Sequence, residues 1–228
     1  MFYFSPLYFL FIGPGLLFGM WASWKVKSTF KHYQSVGVAS GMTGAEAAAA
    51  VARAGGAEVT IERAQGYLSD HYDPTAKVLR LSKEVYDGRS VSAIAVAAHE
   101  AGHAIQDKQA YAWLGIRSSL VPAVQIGSQM WMWIFFAGIL LHVPILAWVG
   151  VLLFGTTVVF QLVTLPTEFD ASRRAKAVLV SSGIVSSEEE AVGVGKVLDA
   201  AAMTYVAGLV AAIGTFLYYV MMVVGSRD

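Results

Sequence analysis

Three windows of this 228-residue chain contain no Asp, Glu, Lys or Arg: residues 1–24, 118–167 and 200–226. They are 24, 50 and 27 residues long, and crossing the hydrocarbon core of a bilayer takes about 20 apolar residues. The middle window is too long for one crossing, and Leu141-His142-Val143-Pro144 interrupts it near its centre. It reads as two spans joined by a tight hairpin, which makes four transmembrane helices in all. A soluble fold is a poor alternative, because only 14% of residues are charged, against about 25% in soluble proteins.

The remaining charges set an orientation. Eleven Lys or Arg residues lie between the first and second spans, from Lys25 to Arg117. Four more, Arg173, Arg174, Lys176 and Lys196, lie between the third and fourth, and only Arg227 falls on the other side. This fifteen-to-one split predicts that both loops are cytoplasmic and both termini outside. The first window lacks a preceding positive charge, and Trp21 and Trp24 stand where a signal peptide carries small residues, so it reads as an uncleaved anchor. Net charge is zero and no basic block is present, which argues against nucleic acid as a partner. With no cysteine in the chain, disulfides and thiolate metal sites are excluded.

Between the spans the sequence spells short elements. Thr43 and Glu46 form a capping box for a helix over Gly44–Ala54, stopped by Gly55-Gly56. Glu58–Arg63 alternates like a strand. Gly66–Ser69 and Lys77–Leu81 are expected to pair as an antiparallel hairpin around a turn at Asp70–Pro74, with Lys77–Leu81 as an exposed edge able to pair with an extended peptide. Ser90 caps a helix running to about Gln106, and Tyr111 and Trp113 suit a membrane interface. Pro166-Thr167 is expected to open a helix at about Glu168. Ser187 and Glu190 cap a last helix that continues into the fourth span.

The chemistry is concentrated in Ala98-His99-Glu100-Ala101-Gly102-His103-Ala104, a His-Glu-x-x-His on the helix capped by Ser90. Four residues are about one helical turn, so His99 and His103 leave the same face and can reach one ion. Two neutral imidazoles and a carboxylate suit Zn²⁺ with one position left for water. Glu100, next to the first ligand, is placed to act as general base. Gly102 gives room for close packing beside the metal. The first acids after two further spans are Glu168 and Asp170. Glu168 shares a helix face with Ser172 while Asp170 points elsewhere, so Glu168 is the expected third ligand. His71, Tyr72 and Tyr205 are weaker candidates for steadying a tetrahedral intermediate. Arg173 and Arg174 read as contacts to lipid headgroups, and His142 as a hairpin residue.

These segments, with Phe160-Gln161-Leu162-Val163-Thr164-Leu165-Pro166, Leu68-Ser69-Asp70-His71-Tyr72-Asp73-Pro74 and Gly88-Arg89-Ser90, resemble the YugP-type neutral zinc metallopeptidases over most of the chain. The arrangement is also similar to membrane heat-shock and prenyl-protein endopeptidases, which share a gluzincin-like core. The resemblance implies His99, His103 and Glu168 as zinc ligands and Glu100 as base. Those endopeptidases carry Asp four residues after the Glu ligand; here that position is Ser172, a support without charge. Asp170 or a residue outside the motif is left to supply it.

The expected architecture is an α+β integral membrane protein with four transmembrane helices and a small gluzincin-like zinc metalloprotease domain. Residues 1–24 form the first transmembrane helix and 25–117 the catalytic region. The second and third transmembrane helices fall in 118–165, the helix with the third ligand in 166–200, and the fourth span in 201–226. The expected activity is peptide-bond hydrolysis on membrane or membrane-proximal proteins, in a bacterial inner membrane with the site facing the cytoplasm. Its partners are the lipid bilayer and a protein or peptide substrate, with room for a regulatory membrane partner. A non-catalytic scaffold with a structural metal is a rival, as is cleavage within the membrane. Arg89 and Asp107 bracket too short and polar a segment for the latter. A transporter is least expected, because no charge lies within a span.

Because the chain lacks cysteine, its topology can be tested with single cysteines at Ser5, Lys31, Ser186 and Ser226 and an impermeant thiol reagent. Positions 5 and 226 should label in intact cells, and positions 31 and 186 only after lysis. Labelling of 31 and 186 in intact cells would put both loops outside.

Overall fold

A computed structural model describes residues 6–66 and 69–225. Its helices are α1 (Pro6–Gln34), α2 (Gly44–Ala54), α3 (Lys83–Tyr86), α4 (Val91–Lys108), α5 (Ala112–Leu140), α6 (Pro144–Ser181) and α7 (Glu188–Gly225). The strands are β1 (Thr60–Arg63), β2 (His71–Asp73) and β3 (Val78–Leu81). The chain is thus mostly helical with one small sheet. Among the described residues, α1, α5, α6 and α7 are each long and apolar enough to cross a membrane.

The chain divides into two compact units. The first comprises the described residues of Met1–Ser23, Ile116–Leu165 and Thr204–Asp228. Its interior is aromatic: Trp131, Phe135 and Tyr219 meet edge to face, with centroids 4.8 to 4.9 Å apart where Tyr219 touches the other two. Its outside is apolar as well, with Leu17 68%, Trp133 78% and Leu140 78% exposed. No water-soluble surface carries such a continuous apolar face; hydrocarbon is the solvent it fits. The turn between α5 and α6 closes over Leu141–Val143, where His142 takes φ +57°.

The second unit comprises Trp24–Gly115 and Pro166–Met203. Its core is built on α4, whose Ile94, Ala97, Ala98 and Ala101 are fully buried. They pack with Ala47, Ala48 and Val51 of α2, Leu79 and Leu81 of β3, Leu179 of α6 and Leu198 of α7. Both capping boxes form. Glu46 N donates to Thr43 Oγ1 at 3.2 Å and Thr43 N to Glu46 Oε2 at 2.7 Å. Glu190 N donates to Ser187 Oγ at 3.1 Å, and Glu190 Oε1 accepts from Ala39 N at 2.6 Å, tying the start of α7 to the loop before α2. As expected, α7 then runs on into the last apolar stretch.

The sheet differs from expectation. Its order is β1-β3-β2, with β1 parallel and β2 antiparallel to β3. Lys77–Leu81 is therefore the central strand and not an exposed edge. Leu79 and Leu81 are fully buried, which suits a strand paired on both sides. The partner in the hairpin is His71–Asp73, read from sequence as turn; the segment expected there, Gly66–Ser69, includes Tyr67 and Leu68, which lie outside the described residues. The turn falls later, at Pro74–Lys77, where Asp73 Oδ1 accepts from Thr75 N and Ala76 N at 2.9 and 3.0 Å and Lys77 takes φ +55°. The Asp-Pro signal was real but displaced by one strand.

A second correction concerns Glu168. No helix begins there: α6 is continuous from Pro144 to Ser181, with Pro166 inside it. A proline removes one backbone donor, which a long apolar helix tolerates because neighbouring groups re-satisfy the freed carbonyl. Pro14 in α1 and Pro122 in α5 are accommodated likewise.

Helices α4 and α6 touch backbone to backbone at Gly102. A Cβ there would lie 2.5 Å from the carbonyl oxygen of Ala171 and 3.2 Å from its Cα. Gly102→Ala should force the helices apart at a cost of about 1–3 kcal/mol, the range for overpacking. Thermal unfolding in detergent should show a lowered Tm, and an unchanged Tm would mean that the two helices are not in such contact.

Candidate metal centre

Ser90 starts α4 by accepting from Ala93 N at 3.3 Å. Alanines then keep the helix narrow enough to be buried on nearly all sides, so His99 and His103 emerge from a fixed scaffold. Their rings lie one turn apart, 4.8 Å between centroids, at an interplanar angle of 83°. From α6, Glu168 enters between them with its side chain 2% exposed. Its Oε2 lies 3.1 Å from His99 Nε2 and 3.5 Å from His103 Nε2. One ligating atom from each of the three residues lies within 4.8 Å of the others.

These residues fit a zinc ion. Donors bound at about 2.0–2.1 Å in a tetrahedron stand roughly 3.3 Å apart, close to the spacing of both histidine–glutamate pairs. A carboxylate this buried demands compensating positive charge. Burial opposes a charge on His103, but hydrogen bonding to Glu168 and its negative charge outweigh it, so the imidazole is held above its ordinary value. The same attraction is available to a dication.

The outer ring nitrogens are also engaged. Ser172, one turn beyond Glu168, puts its Oγ 3.1 Å from His99 Nδ1. Gln106, fully buried, puts Oε1 3.0 Å from His103 Nδ1. Gln106 Nε2 donates to Thr167 O at 2.7 Å and to Asp170 Oδ2 at 3.0 Å. Asp170, as expected, points away from the group that converges with Glu168. It is held by Arg173 and Arg174 instead, and Arg174 also donates to Gln109 Oε1 and covers the ring of Tyr111 at 5.3 Å. Those two arginines, read from sequence as headgroup contacts, are thus tied to an acid of the same helix.

Glu100 lies outside the ligand group. Its neighbour is Asp70, whose carboxyl is pushed up first by burial, against the bonds it accepts from Ser82 N and Oγ, with repulsion from Glu100 adding to the rise. His71 is exposed, its Nδ1 2.8 Å from Ser69 O, and it is not among the converging residues. Tyr72 donates to Asp107 Oδ2 at 2.6 Å, where Lys77 also pairs at 2.5 Å. Burial and that acid push the phenol up. Tyr205 belongs to the other unit. Sequence reasoning gave no role to Gln106, although 99, 103 and 106 share a helical face. It also missed Asp70 as a neighbour of Glu100, for which a 30-residue separation offers no signal.

Comparison with known proteins names the same metal. Residues 8–224 match the family model described as "Putative neutral zinc metallopeptidase". The chain is similar to a Bacillus subtilis (strain 168) protein titled "Putative membrane protease YugP", with 46% identity over 209 residues that cover 91% of this chain and 92% of that one. No solved structure matches it significantly. With four apolar helices and a match over nearly its whole length, the chain is an integral membrane protein that belongs to this neutral zinc metallopeptidase family.

Proposed function

We propose that the protein is a membrane-bound, zinc-dependent metalloendopeptidase whose gluzincin-like catalytic region is formed by residues 25–117 and 166–200. The observation that carries this reading is the convergence of His99 and His103 of α4 with Glu168 of α6, beside a glutamate that is not part of the cluster. Three protein ligands leave one zinc position open, as a catalytic site requires and a structural site does not. A bound Zn²⁺ supplies Lewis acidity, which polarises the scissile carbonyl and lowers the pKa of water toward about 7.

The chain supplies the rest. Glu100 takes a proton from the attacking water as the new C–O bond forms, then hands it to the amine nitrogen as the C–N bond breaks. His99 and His103 stay in place because Ser172 and Gln106 hold their outer nitrogens. The substrates are membrane proteins or membrane-proximal segments, reached from the cytoplasmic face of a bacterial inner membrane, a placement supported by the fifteen-to-one distribution of Lys and Arg.

Metal analysis of the purified protein, paired with cleavage of unfolded casein with and without chelator, tests this directly. Glu100→Gln should retain about one zinc per chain and lose cleavage. Glu168→Ala should lose far more zinc than Asp170→Ala. The reverse order would make Asp170 the ligand, and casein cleavage undiminished in Glu100→Gln would remove the base from the mechanism. Ser172→Ala should weaken zinc affinity by up to about tenfold, the low end for loss of a partner behind a ligand. Unchanged affinity would show that His99 is steadied by something else.

A further inference from the structure

The buried amide of Gln106 has only one chemically sensible orientation. One end faces two groups that can only accept, the backbone carbonyl of Thr167 at 2.7 Å and the Asp170 carboxylate at 3.0 Å. That carboxylate is paired with Arg173 and Arg174, which keeps it an acceptor. Turned over, the amide would set its oxygen against both oxygens in a fully buried place, an acceptor facing two acceptors with no proton between them. Nε2 must therefore face Thr167 and Asp170, and both of its protons are used. Oε1 is left facing His103 Nδ1 at 3.0 Å, and an amide oxygen only accepts.

We infer that Gln106 is a positioning residue which fixes the proton of His103 on Nδ1 and so presents Nε2, with its lone pair, as the ligating atom. The inference rests on the zinc reading above and goes beyond it, because it assigns the tautomer of one ligand to a chain of named groups. Arg173 and Arg174 hold Asp170, Asp170 and Thr167 orient Gln106, and Gln106 orients His103. This chain brings the influence of a carboxylate to the outer nitrogen of a histidine ligand through an amide, while the Glu168 carboxylate faces the other ring nitrogen. A hydroxyl can donate or accept, so the 3.1 Å contact from Ser172 to His99 leaves that ring's tautomer unspecified. The two histidines are therefore supported unequally, and His103 is the one whose proton is dictated.

The test uses the full-length protein in detergent with ¹⁵N-labelled histidine. In the zinc-loaded protein, where Glu168 is taken up as a ligand and does not compete for the ring proton, ¹⁵N shifts should put the His103 proton on Nδ1 and leave Nε2 without one. In Gln106→Met the same ring should become a mixture of tautomers. Zinc affinity, measured by competition with a chromophoric chelator, should fall about tenfold to a hundredfold in Gln106→Met, more than in Ser172→Ala. A His103 proton on Nε2 in the wild-type protein would overturn the inference, and that measurement needs no variant to fold. A folded Gln106→Met with unchanged zinc affinity and tautomer would overturn it as well. A wild-type protein that takes up no zinc would sink the zinc reading, and with it this role for Gln106.

Discussion

The arrangement of the second unit follows from one buried charge. Glu168 sits with its side chain 2% exposed between two imidazoles, far from water that could solvate it. Left alone there, a carboxylate would cost more than a small core could offset. It is tolerable because α4 brings His99 and His103 to within 3.1 and 3.5 Å, and the helices can come that close because residue 102 has no side chain. The charge, the glycine and the pair of rings are parts of one solution. These residues all lie in the second unit, although residues 116–165 of the first separate Glu168 from the others in sequence.

Much of this was legible in the sequence, for identifiable reasons. The spans showed because a charge in hydrocarbon is costly enough to clear long windows of Asp, Glu, Lys and Arg. The ends of α2, α4 and α7 showed because caps are local chemistry: Thr43 with Glu46, Ser90 alone, Ser187 with Glu190. The histidine pair showed because four residues make one turn. The sheet was harder. Whether β3 is central or at the edge depends on which segments return to it across the unit, and no local pattern in Lys77–Leu81 records that β1 lies on one side and β2 on the other.

The same division separates what was seen at the metal centre from what was not. Ser172 was found by counting one turn from Glu168, an argument along a single helix. Gln106 matters because of groups on a different helix, Thr167 and Asp170, so its position three residues after His103 was a clue without a partner. Asp70 comes near enough to Glu100 to be repelled by it only after β2 is laid against α4. Pro166 misled for the opposite reason. Its local preference for ending a helix is genuine, but a backbone surrounded by lipid or packed protein has nowhere better to send its hydrogen bonds than along the helix.

That uninterrupted α6 makes Glu168 a matter of angular phase. Ala175 and Leu179, buried in the core around α4, fix how this part of the helix lies in the second unit, and no loop intervenes between them and the carboxylate. Adding or removing one residue between Glu168 and Ala175 would swing Glu168 by about 100° around the axis and slide it about 1.5 Å along it. A neighbouring loop cannot absorb such a change, so the distance from core to carboxylate is gauged by the screw of the helix. Only steps near seven residues, about two full turns, would restore the angle, and those lengthen the helix by about 10 Å. The stretch from Glu168 to Leu179 can therefore drift in sequence while hardly drifting in length.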